Sequence, residues 1–160
     1  MNELNECIEH LDEDITSILD SLNKCDQHIQ EYSRVSEEGK YAKQAVIEQM
    51  QEGQQKIFQL WLSQKLILRM MKSAQVDNYS VKQFAEWMQT KLSGSYQDNM
   101  SGTRELYDIA QELWDESLKD NNINMSPSTT MVPVFRILMA ARECMKKVLE
   151  EIKNYENSEE

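Results

Sequence analysis

Residues 4–32, LNECIEHLDEDITSILDSLNKCDQHIQEY, decide how this chain folds. Within them Leu4, Ile8, Leu11, Ile15, Ile18, Leu22, Cys25, Ile29 and Tyr32 recur at alternating spacings of four and three. An apolar residue every 3.5 positions forms a seam along one side of a helix, and such a seam is stable in water only when another helix covers it. The stretch therefore predicts a helix from about Asn2 to about Glu37 together with a packing partner. It carries no chemistry of its own.

Continued in the same register, the pattern degrades. Ser36, Gly39, Lys43 and Gly53 fall in core slots, although Val46, Met50, Ile57, Leu60, Ile67 and Met71 still fit. Two architectures follow. In one, a single helix runs to about Ala74 and is ~100 Å long at 1.5 Å per residue. In the other, Ser36 to Lys40 is a tight connection, Gly39 takes the left-handed conformation that ends a helix, and the chain folds back as a hairpin. Charge favours the hairpin. Residues 1–40 hold 11 acids and 3 bases, whereas residues 41–95 hold 4 acids and 7 bases. An acidic first helix laid on Lys56, Lys65, Arg69 and Lys72 of the second would be complementary. From Ile57 to Met71 apolar residues occur nearly all round the helix, which places this segment at the centre of the core, with Leu60 and Ile67 buried.

Beyond residue 75 the signals are shorter. Val76 to Ser80 reads as a loop, and Ser80 as the N-cap of a third helix to about Leu92, with Val81, Phe84, Ala85, Met88 and Leu92 inward. Gly94 to Gly102 reads as a connection. Ser101 or Thr103 can cap a fourth helix to about Lys119, with Leu106, Ile109, Ala110, Leu113 and Ser117 inward. Residues 120–129 are the least regular. Pro133 suits the first turn of a final helix bearing Phe135, Leu138, Ala141, Met145, Val148, Leu149, Ile152 and Tyr155 on its apolar face. With 4 glycines and 2 prolines in 160 residues there is little turn chemistry for a β fold. The expected class is all-α: a heptad helix or helical hairpin over residues 1–75, a small helical bundle over 76–157, about five helices in all, and a disordered acidic tail at 158–160.

Composition also bounds function. A formal charge of −11 disfavours direct binding to nucleic acid or to an anionic membrane surface. The acidic N-terminus lacks a secretory or transit pattern, and the three scattered cysteines, Cys7, Cys25 and Cys144, suit a reducing, intracellular setting. Both histidines follow a cysteine by three residues, in Cys7-x-x-His10 and Cys25-x-x-His28. Each pair shares a helix face, but the pairs lie about 27 Å apart along one helix and cannot form a single tetrahedral zinc site. No glycine-rich phosphate loop and no nucleophile with a neighbouring base is recognisable, so no cofactor, no metal and no enzymatic activity is expected.

What remains is a surface for other proteins. Asp12, Asp14 and Asp26 flank the seam without opposing cations, which disfavours pairing with a second copy and favours a less acidic helix; self-association is the other outcome the seam allows. The candidate partner-binding residues are Leu4, Ile8, Leu11, Ile15, Ile18, Leu22, Ile29 and Tyr32, with Trp87 and Trp114 at the edges of their helices' apolar stripes. The expected function is a non-enzymatic interaction subunit that docks into a larger assembly through its N-terminal helix. The alternative is an acidic inhibitor or nucleic-acid mimic occupying a basic groove on its target.

Overall fold

A computed structural model of the chain describes residues 3–38, 44–93 and 100–158. They form five α-helices: α1 (Leu4–Glu38), α2 (Gln44–Val76), α3 (Val81–Ser93), α4 (Met100–Lys119) and α5 (Val134–Ser158), with a short 3-10 turn at Thr129–Met131. Of the connection expected at Ser36 to Lys40, Ser36 to Glu38 continue α1 as helix, and Gly39 and Lys40 lie outside the described residues. The ends they join are described, and they answer the architectural question: α1 and α2 are antiparallel partners. Asn5 accepts a hydrogen bond from Gln75 at one end of the pair, and Asp26 accepts one from Gln54 nearer the other. The Cys25 thiol approaches the Met50 carbonyl at 3.9 Å.

The hairpin forms, but not through charge. Among the described residues no ion pair joins α1 to α2. Two of the basic residues of α2 have other partners: Arg69 reaches Glu112 of α4 at 3.4 Å, and Lys65 lies over the Trp61 ring, 4.5 Å from its centroid. Apolar burial holds the pair instead, since Leu4, Leu11, Ile15, Leu22 and Ile29 are buried. Each such side chain removed from water contributes roughly 1.5–3 kcal/mol, more than an exposed ion pair does.

Helix α2 is the hub. It packs against α1 on one side and against α4, α5 and the 3-10 turn on the others, as its all-round apolar character requires. Phe58, Trp61, Leu62, Leu66, Ile67, Met70 and Met71 are all buried. They join a single apolar cluster with Leu4 and Leu22 of α1, Phe84 and Met88 of α3, Leu106 of α4 and Ile137 of α5. The hairpin and the bundle thus share one core. The seam's register does not carry through the turn. Leu60, placed in the core by extrapolation, is exposed, and Gln54, one residue past the expected slot at Gly53, is fully buried. Once the chain reverses, the buried face of α2 is set by where α1, α4 and α5 lie around it, and the heptad count from α1 ceases to apply.

Local signals fare better where a single capping residue decides them. Asn78 takes the left-handed conformation with φ 62°, which ends α2. Ser80 then caps α3: its Oγ accepts from the Gln83 backbone N–H at 3.1 Å, and the Gln83 side chain accepts from the Ser80 N–H at 2.9 Å. That reciprocal pair is a capping box. α4 starts at Met100, so Ser101 and Thr103 lie within the helix instead of capping it. α5 begins at Val134, just after Pro133, and buries Val134, Ile137, Leu138, Ala141 and Met145. Phe135 and Tyr155, read as inward, are exposed. Of the expected disordered tail, Ser158 is the last residue of α5, and the final two residues lie outside the described set. No described helix is long and apolar enough to cross a membrane.

The irregular 120–131 segment is tied down by side chains. Asn23 of α1 donates to the Asn122 carbonyl at 2.9 Å and accepts from the Asn124 N–H at 2.8 Å. Further along, Gln54 Oε1 accepts from the Ser126 N–H at 2.9 Å, the Ser126 hydroxyl at 2.8 Å and the Thr129 hydroxyl at 2.8 Å. One buried amide oxygen thereby satisfies three donors of a segment that has no regular ladder of its own.

Candidate interaction surface

The residues proposed for partner binding separate into two groups. The seam is covered from within the chain: Leu4, Leu11, Ile15, Leu22 and Ile29 are buried against the core, and Ile8, Ile18 and Tyr32 are half-buried. An external helix would find α2 already in its place. Trp87 is also held internally, edge-on to Tyr79 at 6.1 Å and tilted against Phe84 at 6.2 Å, with the Lys91 ammonium 5.1 Å from its ring centroid.

Trp114 is different. It lies half-buried on α4, in a row with Tyr107, Gln111 and Leu118 at spacings of four, three and four that put all four side chains on one helix face. This row is offset from the buried stripe of Leu106, Ala110, Leu113 and Ser117. It borders the chain segment that enters α5, and between them runs an open groove of about 370 Å³ lined by Tyr107, Gln111, Trp114 and residues 130–135. Met131 is 78% exposed and Phe135 61% exposed along that groove. Met139, one turn beyond Phe135, is exposed as well, and so are Tyr107 and Leu118. The Trp114 indole Nε1 is buried and has no hydrogen-bond partner among the described residues.

Local sequence explains the arrangement. Pro133 has no N–H to donate and sits just before α5, so the chain enters the helix abruptly with Val134 inward and Phe135 one position round. The core needs one face of α5, and that face is filled by Val134, Ile137, Leu138, Ala141 and Met145. Phe135 and Met139, four apart, are left exposed on a neighbouring face, with no element over them among the described residues. Sequence reading misses Tyr107, and it offers Met131 only as one of several methionines that are either core filler or part of an adaptable groove. The available signal was the four-three-four row on α4, legible only once the buried stripe beside it is known.

Titratable chemistry is sparse. Cys7, Cys25 and Cys144 are free thiols, each half-buried. Burial first, then Glu3 and Glu6, raises the Cys7 thiol above its ordinary 9.0, and burial first, then Asp26, does the same for Cys25. His10 and His28 are exposed on α1, and no cluster of three or more His, Cys, Asp or Glu among the described residues is arranged to hold a metal ion. Because the folded state holds these thiol protons more tightly, their effect on stability is absent below about pH 9 and becomes a loss as pH climbs through the raised values. Native Cys7 and Cys25 are accordingly expected to react with iodoacetamide at pH 8 several-fold more slowly than in the urea-unfolded chain. Peptide mass mapping of a timed alkylation checks this; equal rates would contradict the assignment.

No protein-family model, no curated protein and no solved structure matches this chain.

Proposed function

We propose that the chain is a non-enzymatic protein–protein interaction subunit that engages its partner through the face shared by α4 and the start of α5. One observation carries this reading: the exposed Tyr107, Met131 and Phe135 line one groove with the half-buried Trp114, and the exposed Leu118 and Met139 follow Trp114 and Phe135 by one turn on α4 and α5. Scattered exposed apolar residues are ordinary on a protein surface, but a contiguous set of aromatic and methionine side chains beside a groove is the composition of an interface centre. Methionine also suits a surface that must repack around its partner. In this reading the heptad seam of α1 acts as scaffold, holding α2 and, through Asn23 and Gln54, the segment that leads into the groove.

The test is a paired pull-down from native lysate with the wild-type chain and a Met131→Ser/Phe135→Ser variant. Both sites are largely solvent-exposed, so the variant is expected to keep the wild-type unfolding free energy to within about 0.5 kcal/mol per site. Partners recovered by the wild type should fall at least tenfold in the variant. Equal recovery by both would refute the proposed face, and displacement of the partner by nucleic acid would favour the acidic-mimic alternative.

A further inference from the structure

A second concave site lies where α1, α2 and the 125–127 segment meet, and it contains a buried carboxylate that makes no ion pair among the described residues. The geometry points to a binding site there for a small organic cation, an ammonium or guanidinium group, with Asp26 as its counter-ion. The groove holds about 430 Å³ and is lined by Asp26, Gln30, Ser33 and Arg34 of α1, Gln51 of α2, and Met125 to Pro127 of the connecting segment, with Ile29 at its base.

Asp26 is only 4% exposed. Its Oδ1 accepts from Gln54 Nε2 at 3.0 Å, and its Oδ2 accepts from Gln30 Nε2 at 2.7 Å. Both donors are neutral amides. A carboxylate offers about four acceptor directions, so roughly half of its capacity is unused. Among the described residues no lysine, arginine or histidine forms an ion pair with it. Arg34 is two helical turns away, about 12 Å along the axis. Neutral amides orient the carboxylate, and an opposite charge brought to its remaining acceptor positions adds a charge-assisted hydrogen bond that they do not supply.

The groups at the Asp26 end of the groove fit a cationic head; Arg34 lines the same groove two helical turns further along α1. Gln54 cannot turn to offer its oxygen to the groove, because that oxygen is already committed to Ser126 and Thr129. The Asp26 oxygens are therefore the fixed acceptors, and Gln51, Ser33 and the Ser126 region supply polar atoms around them. Ile29 and Met125 give the apolar floor on which a short alkyl stem can rest.

The probes are methylguanidinium and n-butylammonium chloride, titrated into the isotope-labelled full chain, with urea and sodium chloride at equal concentration as controls. Backbone amide shifts of Asp26, Gln30, Ser33, Gln51 and Ser126 are expected to move saturably with the cations and not with urea or salt. Gln30→Lys is the decisive variant. It places an ammonium four residues from Asp26 on an exposed position, where a lysine can reach the carboxylate within the helix. It should raise the melting temperature and weaken binding of both probes at least tenfold. Absence of saturable shifts in the wild type, equal shifts with urea, or unchanged probe binding in Gln30→Lys would each overturn the assignment. The probes and Gln30→Lys leave Met131 and Phe135 unaltered, so this test and the pull-down are read separately.

Discussion

Replacing Gln54 by alanine is expected to lower unfolding stability by about 3–5 kcal/mol, one of the two largest single-residue effects in the molecule. The side chain is fully buried and makes four hydrogen bonds: three accepted by Oε1 from Ser126 and Thr129, and one donated by Nε2 to Asp26. Each buried polar group left without a partner costs roughly 1–3 kcal/mol, and water admitted to the vacated space recovers part of the sum. Gln54→Leu should be nearly as damaging, because it fills the space and still leaves the donors unanswered. Gln54→Glu is the informative control: it keeps the acceptor oxygens but faces Asp26 with a second carboxylate, so its cost should fall when the pH is lowered enough to protonate one of the pair. Urea denaturation midpoints compared at pH 7 and pH 4 check all three.

The second large effect sets two positions on one helix against each other. Ile67→Ala is expected to cost about 2–5 kcal/mol, and Leu60→Ala less than about 1 kcal/mol. Ile67 is 2% exposed in the shared core, so truncation leaves a cavity between packed helices, while Leu60 is 46% exposed and has water to fill its place. Their heptad positions, counted from α1, predict equal burial and equal costs. The pair therefore measures whether the buried face of α2 is fixed by its three neighbours or by continuation of the N-terminal repeat, and chemical denaturation of both variants reads it directly.

Much of the architecture was legible in the residues because it rests on local physics. The apolar period of α1, the N-cap Ser80 and the loop at Asp77 and Asn78 are each decided within a few positions, and each appears in the structure, where Gln83 completes the cap. The hairpin was legible too, but for the wrong reason. Charge complementarity between the first two helices suggested it, whereas Arg69 reaches α4, Lys65 lies over Trp61, and apolar burial with two amide contacts holds the pair.

What the sequence could not reveal depends on the arrangement of helices around α2. Gln54 reads as one more polar residue in a glutamine-rich stretch, and nothing local marks it as the anchor of a segment some seventy positions away. Asp26 reads as a flanking acid of the seam, yet it lies beneath the Gln54 amide. Phe135 reads as core because it shares a helix with Leu138 and Ala141, but Pro133 sets the entry of α5 so that Val134 takes the inward position. The same limit applies to the proposed surface. Trp114 was singled out from its place at the edge of a stripe, while Tyr107 and Met131 join it only when α4 and the turn before α5 are brought side by side.

The central claim is that the heptad seam is satisfied by the chain's own second helix, which leaves interaction to a different face. Its most direct test is thiol cross-linking between positions 5 and 75 in a background where Cys7, Cys25 and Cys144 are replaced by serine. Asn5 and Gln75 touch across the α1–α2 pair, so an Asn5→Cys/Gln75→Cys variant treated with a short bismaleimide should yield one intrachain link at monomer mass, independent of protein concentration. A product at dimer mass, or no link between these positions, would contradict the account, since both outcomes require the seam of α1 to lie against something other than its own α2.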